Sequence, residues 1–163
     1  MSNEDNSPPP VVLDNGTGYV KCGFASAEES PPIVFPSCVG RRVVRFEEAL
    51  DNSSQNSSLT VVGQECIDNR QNYEVSYPIK NGIVTSWQDM ILVWEHAIYD
   101  ELKLTREEIG ERTILLTEAP QNPIKNREKM VEIMFTHFGF KGVFVHVQAV
   151  LTLYSQGLMT GLV

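Results

Sequence analysis

The sequence predicts an α/β fold, a mixed five-strand sheet with helices on both faces and a small inserted subdomain. Three observations predict it. The chain opens with three short apolar runs separated by turns, at residues 11–13, 19–24 and 33–35, the pattern of an antiparallel meander. From residue 86 onward, helix-period and strand-like segments alternate, as in the right-handed crossovers that build parallel pairs. Between the two regions residues 40–63 look different: 46–58 are acidic, then Asn/Ser/Gln-rich, with little to bury, and 59–62 are apolar again.

The elements follow in order. Residues 1–10 are polar and end in Pro8-Pro9-Pro10, so a disordered tail is expected, with the lobe proper at 11–163. Val11-Val12-Leu13 is a buried strand, and Asp14-Asn15-Gly16-Thr17-Gly18 is its turn, because Asn-Gly accepts positive φ at low cost. Residues 19–24 return as the second strand; 26–32 is a loop, and Ile33-Val34-Phe35 is the third strand. A small subdomain is expected over about 38–76, where Val43 and Val44 could begin an edge strand and the acidic, then Asn/Ser-rich, residues 47–58 form a mobile loop.

Ser86 is a plausible N-cap, and Trp87, Met90, Ile91, Trp94, Ala97 and Ile98 then repeat at helical spacing to about residue 101. Thr105-x-x-Glu108 has the capping-box pattern of a short helix. A core strand at 113–117 ends at Glu118, and Pro120 and Pro123 break the chain. Asn126 can cap a helix through Met130, Met134 and Phe138, stopped by Gly139. A strand at 143–147 leads into a helix at 148–156 with Ala149, Val150, Leu153 and Tyr154 inward and Gly157 as its stop. The order β-β-β, small lobe, α-β-α-β-α is the ribonuclease H-like layout.

Composition bounds the function. The 163 residues suit one domain with at most a small extra lobe, and 42% hydrophobic with 21% charged residues is ordinary for a soluble protein. Thirteen basic residues against 21 acidic ones give a net charge of −8, which argues against a nucleic-acid or anionic-membrane surface. Nucleotide binding stays open, because backbone amides and one Lys can hold phosphate. Three cysteines without paired spacing make a disulfide framework or zinc site unexpected and fit a reducing compartment. The start lacks the pattern of a signal peptide, and no run approaches the roughly 18 apolar residues that span a bilayer. The expectation is a cytosolic protein.

Three motifs could carry chemistry. In the hairpin 14–18, two glycines let successive N–H groups converge on an anion, Thr17 adds a hydroxyl and Lys21 a positive charge. Asp14, at a strand end, can hold Mg²⁺ through water. Taken alone, the pentapeptide favours a plain hairpin. Gln148, at a strand-to-helix junction, can hold a water in line with a phosphate because its amide donates and accepts. Alone, it favours a solvated or capping Gln. Glu118 could share metal ions with Asp14 as in two-metal nucleases, or order the proline-rich loop after it, and the second reading is favoured. The three histidines do not cluster at metal-ligand spacing.

Together the residues resemble a known family. The stretch Leu13-Asp14-Asn15-Gly16-Thr17-Gly18-Tyr19-Val20-Lys21-Cys22-Gly23-Phe24 is similar to the first phosphate loop of actins and actin-related proteins. Phe35-Pro36-Ser37-x-Val39-Gly40-Arg41 resembles the family's entry to its small subdomain, and Tyr77-Pro78-x-x-Asn81-Gly82-Ile83-Val84 with Trp87 its return. Leu115-Leu116-Thr117-Glu118-Ala119-Pro120-x-Asn122-Pro123, Asn126-Arg127-Glu128-Lys129 and Val147-Gln148-Ala149-Val150-Leu151-x-Leu153-Tyr154 extend the resemblance over about residues 11–163.

The branch-nucleating members are the nearest in pattern. The resemblance implies an actin-like fold and Mg-ATP in a cleft between two lobes. By position, Gly16, Thr17, Gly18 and Lys21 would meet the phosphates, Asp14 the waters of Mg²⁺, and Gln148 the attacking water, while Glu118 would not be a metal ligand. The implied partners are actin filaments, actin-related protein 3 and other subunits of the branching complex, in the cytoplasmic cytoskeleton. In that family a second phosphate loop and second lobe follow, so this chain is expected to carry the first lobe and small subdomain only and at most a weak ATPase. The alternatives are a non-enzymatic actin-like fragment that binds cytoskeletal partners without ATP turnover and, further off, a ribonuclease H-like nuclease using Asp14 and Glu118.

Overall fold

The computed structural model describes residues 7–26, 31–43 and 59–161. The expected loop at 47–58 lies outside the described residues, as does the expected tail as far as Asn6. At the end of that tail the backbone is tied down: Arg112 Nη1 donates to Pro9 O at 2.8 Å, and the Ala25 N–H to Pro10 O at 2.8 Å.

The meander is β1 (Val11–Asn15), β2 (Tyr19–Phe24) and β3 (Ile33–Pro36). Later come β9 (Thr113–Glu118) and β10 (Gly142–Val147), and the five form one sheet in the order β10-β9-β1-β2-β3. β1 pairs antiparallel with β2 and parallel with β9, and β9 pairs parallel with β10, which makes the sheet mixed as predicted. Strand side chains alternate between faces. On one face Val11, Leu13, Val20, Ile114 and Leu116 are buried against α2 (Trp87–Glu95), α3 (Arg106–Gly110) and α4 (Ile124–Ile133). On the other face lies α5 (Gln148–Ser155), its Tyr154 ring 5.8 Å from that of His146 in β10.

Local chemistry explains the helix ends. Ser86 Oγ accepts from the Asp89 N–H at 3.4 Å, as its N-cap position requires. Thr105 and Glu108 form the expected reciprocal box, at 3.3 and 2.8 Å. Both α2 and α4 continue as wider, π-helical turns, at His96–Glu101 and Met134–Phe138. The second stops at Gly139, whose φ of +82° lies in the left-handed region that glycine enters at least cost.

Three expectations need correction. Asn126 does not cap α4: the helix begins at Ile124 behind Pro123, and Asn126 Nδ2 donates to Asn122 Oδ1 at 3.0 Å instead. Proline's fixed φ and missing N–H make it a better boundary here than an Asn one turn in. Tyr154 does not face inward but is 60% exposed, and α5 has no fully buried residue, since among the described residues no further element covers this side of it. No edge strand begins at Val43: β4 (Val39–Arg42) ends just before it, Val43 is exposed, and Val44 lies outside the described residues.

β4 is the middle strand of a small three-strand sheet, between β5 (Thr60–Val62) and β6 (Tyr73–Ser76). Its core is Cys38, Val61 and Cys66, the last from α1 (Gln64–Asp68). A Cβ on Gly40 would meet Tyr73, Val61 and Cys66 at 3.1–3.2 Å, so a residue that weakens strands by propensity lets this one close. A two-strand ribbon, β7 (Ile79–Lys80) and β8 (Ile83–Val84), returns the chain to α2. The small sheet is held to α2 by Asp89, buried, which accepts from the Arg41 guanidinium of β4 and from Ser76 Oγ of β6 at 2.8 Å. Burial pushes the Asp89 carboxyl up, but Arg41, Ser76 and Ser86 outweigh it and hold its pKa below the ordinary value.

Candidate functional site

The hairpin between β1 and β2 places Asp14 opposite Lys21 on the face of the sheet that α5 overhangs. Lys21 Nζ lies 3.4 Å from Asp14 Oδ2, and both side chains stay partly exposed. The turn is tight at Gly16: its N–H donates to Tyr19 O at 3.1 Å, and a Cβ there would sit 2.3 Å from the same oxygen. The Gly16 N–H is therefore engaged inside the hairpin. Gly18 is open, with no neighbour within 4 Å of where a Cβ would sit, and its carbonyl accepts from the Ser37 N–H at 2.9 Å. Thr17 Oγ1 accepts from the Gly82 N–H at 3.1 Å, so the hairpin tip touches the turn between β7 and β8.

Asn15 points the other way and is buried. Its Oδ1 accepts from Trp94 Nε1 at 3.0 Å, and its Nδ2 reaches Thr117 O at 3.5 Å. The Asn at this position thus ties the hairpin to α2 and β9, a role the turn signature does not reveal.

Gln148 opens α5, directly after β10. Topology brings it beside β1, although the two lie 134 positions apart. Its Nε2 lies 3.0 Å from Asp14 Oδ1, 3.1 Å from Thr117 Oγ1 and 3.3 Å from Asn15 O, three acceptors that share its two hydrogens. The Thr117 hydroxyl in turn donates to Asp14 Oδ1 and accepts from the Asn15 N–H at 3.1 Å. Asp14, Gly16, Lys21, Thr117 and Gln148, with Leu151, Thr152 and Ser155 of α5, line one open cavity of about 470 Å³. A second cavity of about 510 Å³ adjoins it across Asp14 and Lys21 and is lined largely by apolar residues of β2, β3 and the end of the α2 helix.

The structure gathers Asp14, Gly16, Lys21 and Gln148 around one space and sets Thr17 and Gly18 at its hairpin tip. Glu118 is not with them. It alternates to the opposite face of β9, where Arg127 Nε donates to it at 3.1 Å, Arg127 Nη2 makes a second contact, and Asn122 Nδ2 donates at 2.9 Å. Burial raises the Glu118 carboxyl, yet Arg127 and Asn122 more than offset this and lower its pKa. The nuclease reading, which needs Asp14 and Glu118 to share metal, loses its geometry. Glu118 instead orders the loop after β9. Among the described residues no three His, Cys, Asp or Glu side chains group to hold a metal. Asp14 alone fits only an ion that keeps most of its waters, which is the habit of Mg²⁺.

Sequence reasoning assigned no role to Thr117, whose hydroxyl touches Asp14, Asn15 and Gln148. Only the parallel pairing of β1 with β9 places it there.

The family model for actin matches residues 5–163. The chain is 57% identical over 155 residues to actin-related protein 2 of Oryza sativa subsp. indica, covering 94% of this chain and 38% of that protein. It is 54% identical over 153 residues to actin-related protein 2 of Arabidopsis thaliana and 47% identical over 154 residues to that of Saccharomyces cerevisiae, at the same coverage. The chain thus spans 38% of the length of these relatives. No helix among the described residues is long and apolar enough to cross a membrane. With a mixed five-strand sheet, and with matches over nearly its whole length, the chain belongs to the actin family.

Proposed function

We propose that this chain forms the phosphate-facing wall of an actin-related protein of the branch-nucleating kind. Such a protein binds Mg-ATP and, with actin-related protein 3 and other subunits of the branching complex, templates a new branch on an actin filament in the cytoplasm. The observation that carries the nucleotide part is the shared cavity of Asp14, Gly16, Lys21 and Gln148.

In this reading each group has one task. Gly16 keeps the turn tight, and the Thr17 and Gly18 amides face the phosphates. Thr17 Oγ1 already accepts from Gly82, which leaves its hydroxyl proton to donate. Lys21, half exposed, turns its charge from Asp14 to the phosphates. Magnesium, when bound, would neutralise phosphate charge, and Asp14 would hold it through water. Gln148 has both amide hydrogens engaged by protein, so its Oε1 is the group that meets water.

Mg-ATP titration of the chain tests the assignment. Lys21→Ala is expected to weaken binding by about tenfold or more, since it removes a charge that meets the ligand directly. Gln148→Ala is expected to leave binding within about threefold and to slow hydrolysis, since Gln148 meets the water and not the nucleotide. Equal effects from both would refute this division of roles. Absence of saturable Mg-ATP binding would favour an actin-like protein that engages cytoskeletal partners without turnover. Retention of actin-related protein 3 by the immobilised chain is the matching test for the partner.

A further inference from the structure

We propose that Thr117 is a positioning residue for the nucleotide site, the group that fixes how Gln148 presents itself to water. The inference rests on the nucleotide reading above and deepens it. A Thr hydroxyl has one hydrogen to donate and two lone pairs to accept with. At Thr117 all three are in use. The proton goes to Asp14 Oδ1, and the lone pairs receive the Asn15 N–H at 3.1 Å and Gln148 Nε2 at 3.1 Å. Thr117 is buried, so water does not compete freely for these bonds.

This saturation decides an orientation. A primary amide can be turned over, exchanging its NH₂ and oxygen. Here the NH₂ side of Gln148 faces three acceptors, Asp14 Oδ1, Thr117 Oγ1 and the Asn15 carbonyl. Turned over, the Gln148 oxygen would face the Asp14 carboxylate and the Asn15 carbonyl, both acceptors only. The Thr117 hydroxyl could rescue that arrangement only by surrendering its own bond to Asp14. Thr117 therefore holds Gln148 with its nitrogen toward the sheet and leaves Oε1 as an acceptor for a water proton. Asp14, proposed to hold the waters of the metal, is fixed by the same hydroxyl. One hydroxyl that bonds both groups thus sets their relative placement. The anchor beneath it is Asn15, itself held by Trp94 Nε1 at 3.0 Å.

Nuclear magnetic resonance on the chain as it exists gives a readout that needs no nucleotide. In the unmodified chain the Thr117 hydroxyl proton is expected to exchange slowly enough to be seen and to show a nuclear Overhauser effect to the Gln148 side-chain amide. The Gln148 amide signals are identified by their loss in Gln148→Ala. Thr117→Val, which keeps the shape and removes the hydroxyl, is expected to shift both amide protons and speed their exchange with water. Thr117→Ser, which keeps the hydroxyl, is expected to restore them. An unprotected hydroxyl in the unmodified chain, or Gln148 signals that do not change in Thr117→Val, overturns the proposal; the first of these needs no variant to fold.

With Mg-ATP, Thr117→Val is expected to lower single-turnover hydrolysis by at least about tenfold, with binding changed less than about threefold. A binding loss as large as that of Lys21→Ala would show a merely structural role and overturn it. If the amide signals respond as expected while the unmodified chain binds no Mg-ATP, the hydroxyl node stands and the nucleotide reading falls.

Discussion

Gly82 sits at φ +76°, and a Cβ there would lie 2.6 Å from Ala119 Cβ. Gly82→Ala is therefore expected to cost about 2 kcal/mol, from left-handed backbone strain together with the displaced contact. Urea unfolding should show it as a lower midpoint at unchanged slope, and an unchanged midpoint would contradict the close approach. The cysteines give a second single-residue test. Burial, with Glu101 nearby, pushes the Cys22 thiol up to about 11, and burial pushes Cys38 up to about 12 and raises Cys66 as well. Few thiolates then exist at pH 8, and all three side chains are buried. Ellman's reagent is expected to leave them unreacted in the folded chain and to react with all of them in urea; rapid labelling without denaturant would contradict this. Asp14, Lys21 and Gln148 were legible in the sequence because each sits in a local pattern of turn, glycine and strand end. Thr117 and Asn15 were not. Their bonds join positions 102 or 79 residues apart, and no local pattern carries that information.

Two carboxylates act as fasteners between elements. Asp89 ties β4 and β6 to α2, and Glu118 ties β9 to α4. Both have pKa values held below the ordinary range in the folded chain, so each contributes stability that is present above roughly pH 4, the unfolded carboxylate range. That contribution is lost as pH falls through the depressed folded values. Equilibrium unfolding from pH 7 to pH 3 should thus show stability level at first and then dropping below about pH 4. Arg127→Met is expected to cost about 2–4 kcal/mol at pH 7, since Glu118 would stay buried with only Asn122 to meet it. The same variant should flatten the acid slope, because burial then raises the Glu118 pKa without its largest opposing partner. A slope as steep as the parent's would contradict the pairing. Helices with a long apolar stripe, such as α2, were readable from spacing alone. β4 was missed because Gly40-Arg41-Arg42 reads as loop by composition; it is a strand only because Val61, Cys66 and Tyr73 close over the glycine and Asp89 receives Arg41.

Two cores of unequal size share the chain. Among the described residues the main one joins twenty-three that are buried, and the small sheet has three of its own. Hydrogen exchange is expected to be slowest in β1 and β9, at the centre of the large sheet, and faster in β4, β5 and β6. Arg41→Gln should speed exchange in the small sheet further while leaving β1 and β9 unchanged; equal effects on both would mean that the two cores open as one. The fold class was legible because each half of the sheet has its own local grammar, hairpins first and crossovers later. How α5 sits was not, since Tyr154 follows helical spacing yet remains exposed on a side of the sheet that no other described element covers. The mixed sheet also has a history in time. β1 and β2 pair across a short turn and can do so as soon as both leave the ribosome, whereas Gln148 is made 134 residues after Asp14. At synthesis rates of about 5–20 residues per second, roughly 7–27 seconds separate the two. Until β10 and α5 emerge, Asp14 and Lys21 are without Gln148, the partner that those two elements bring to them.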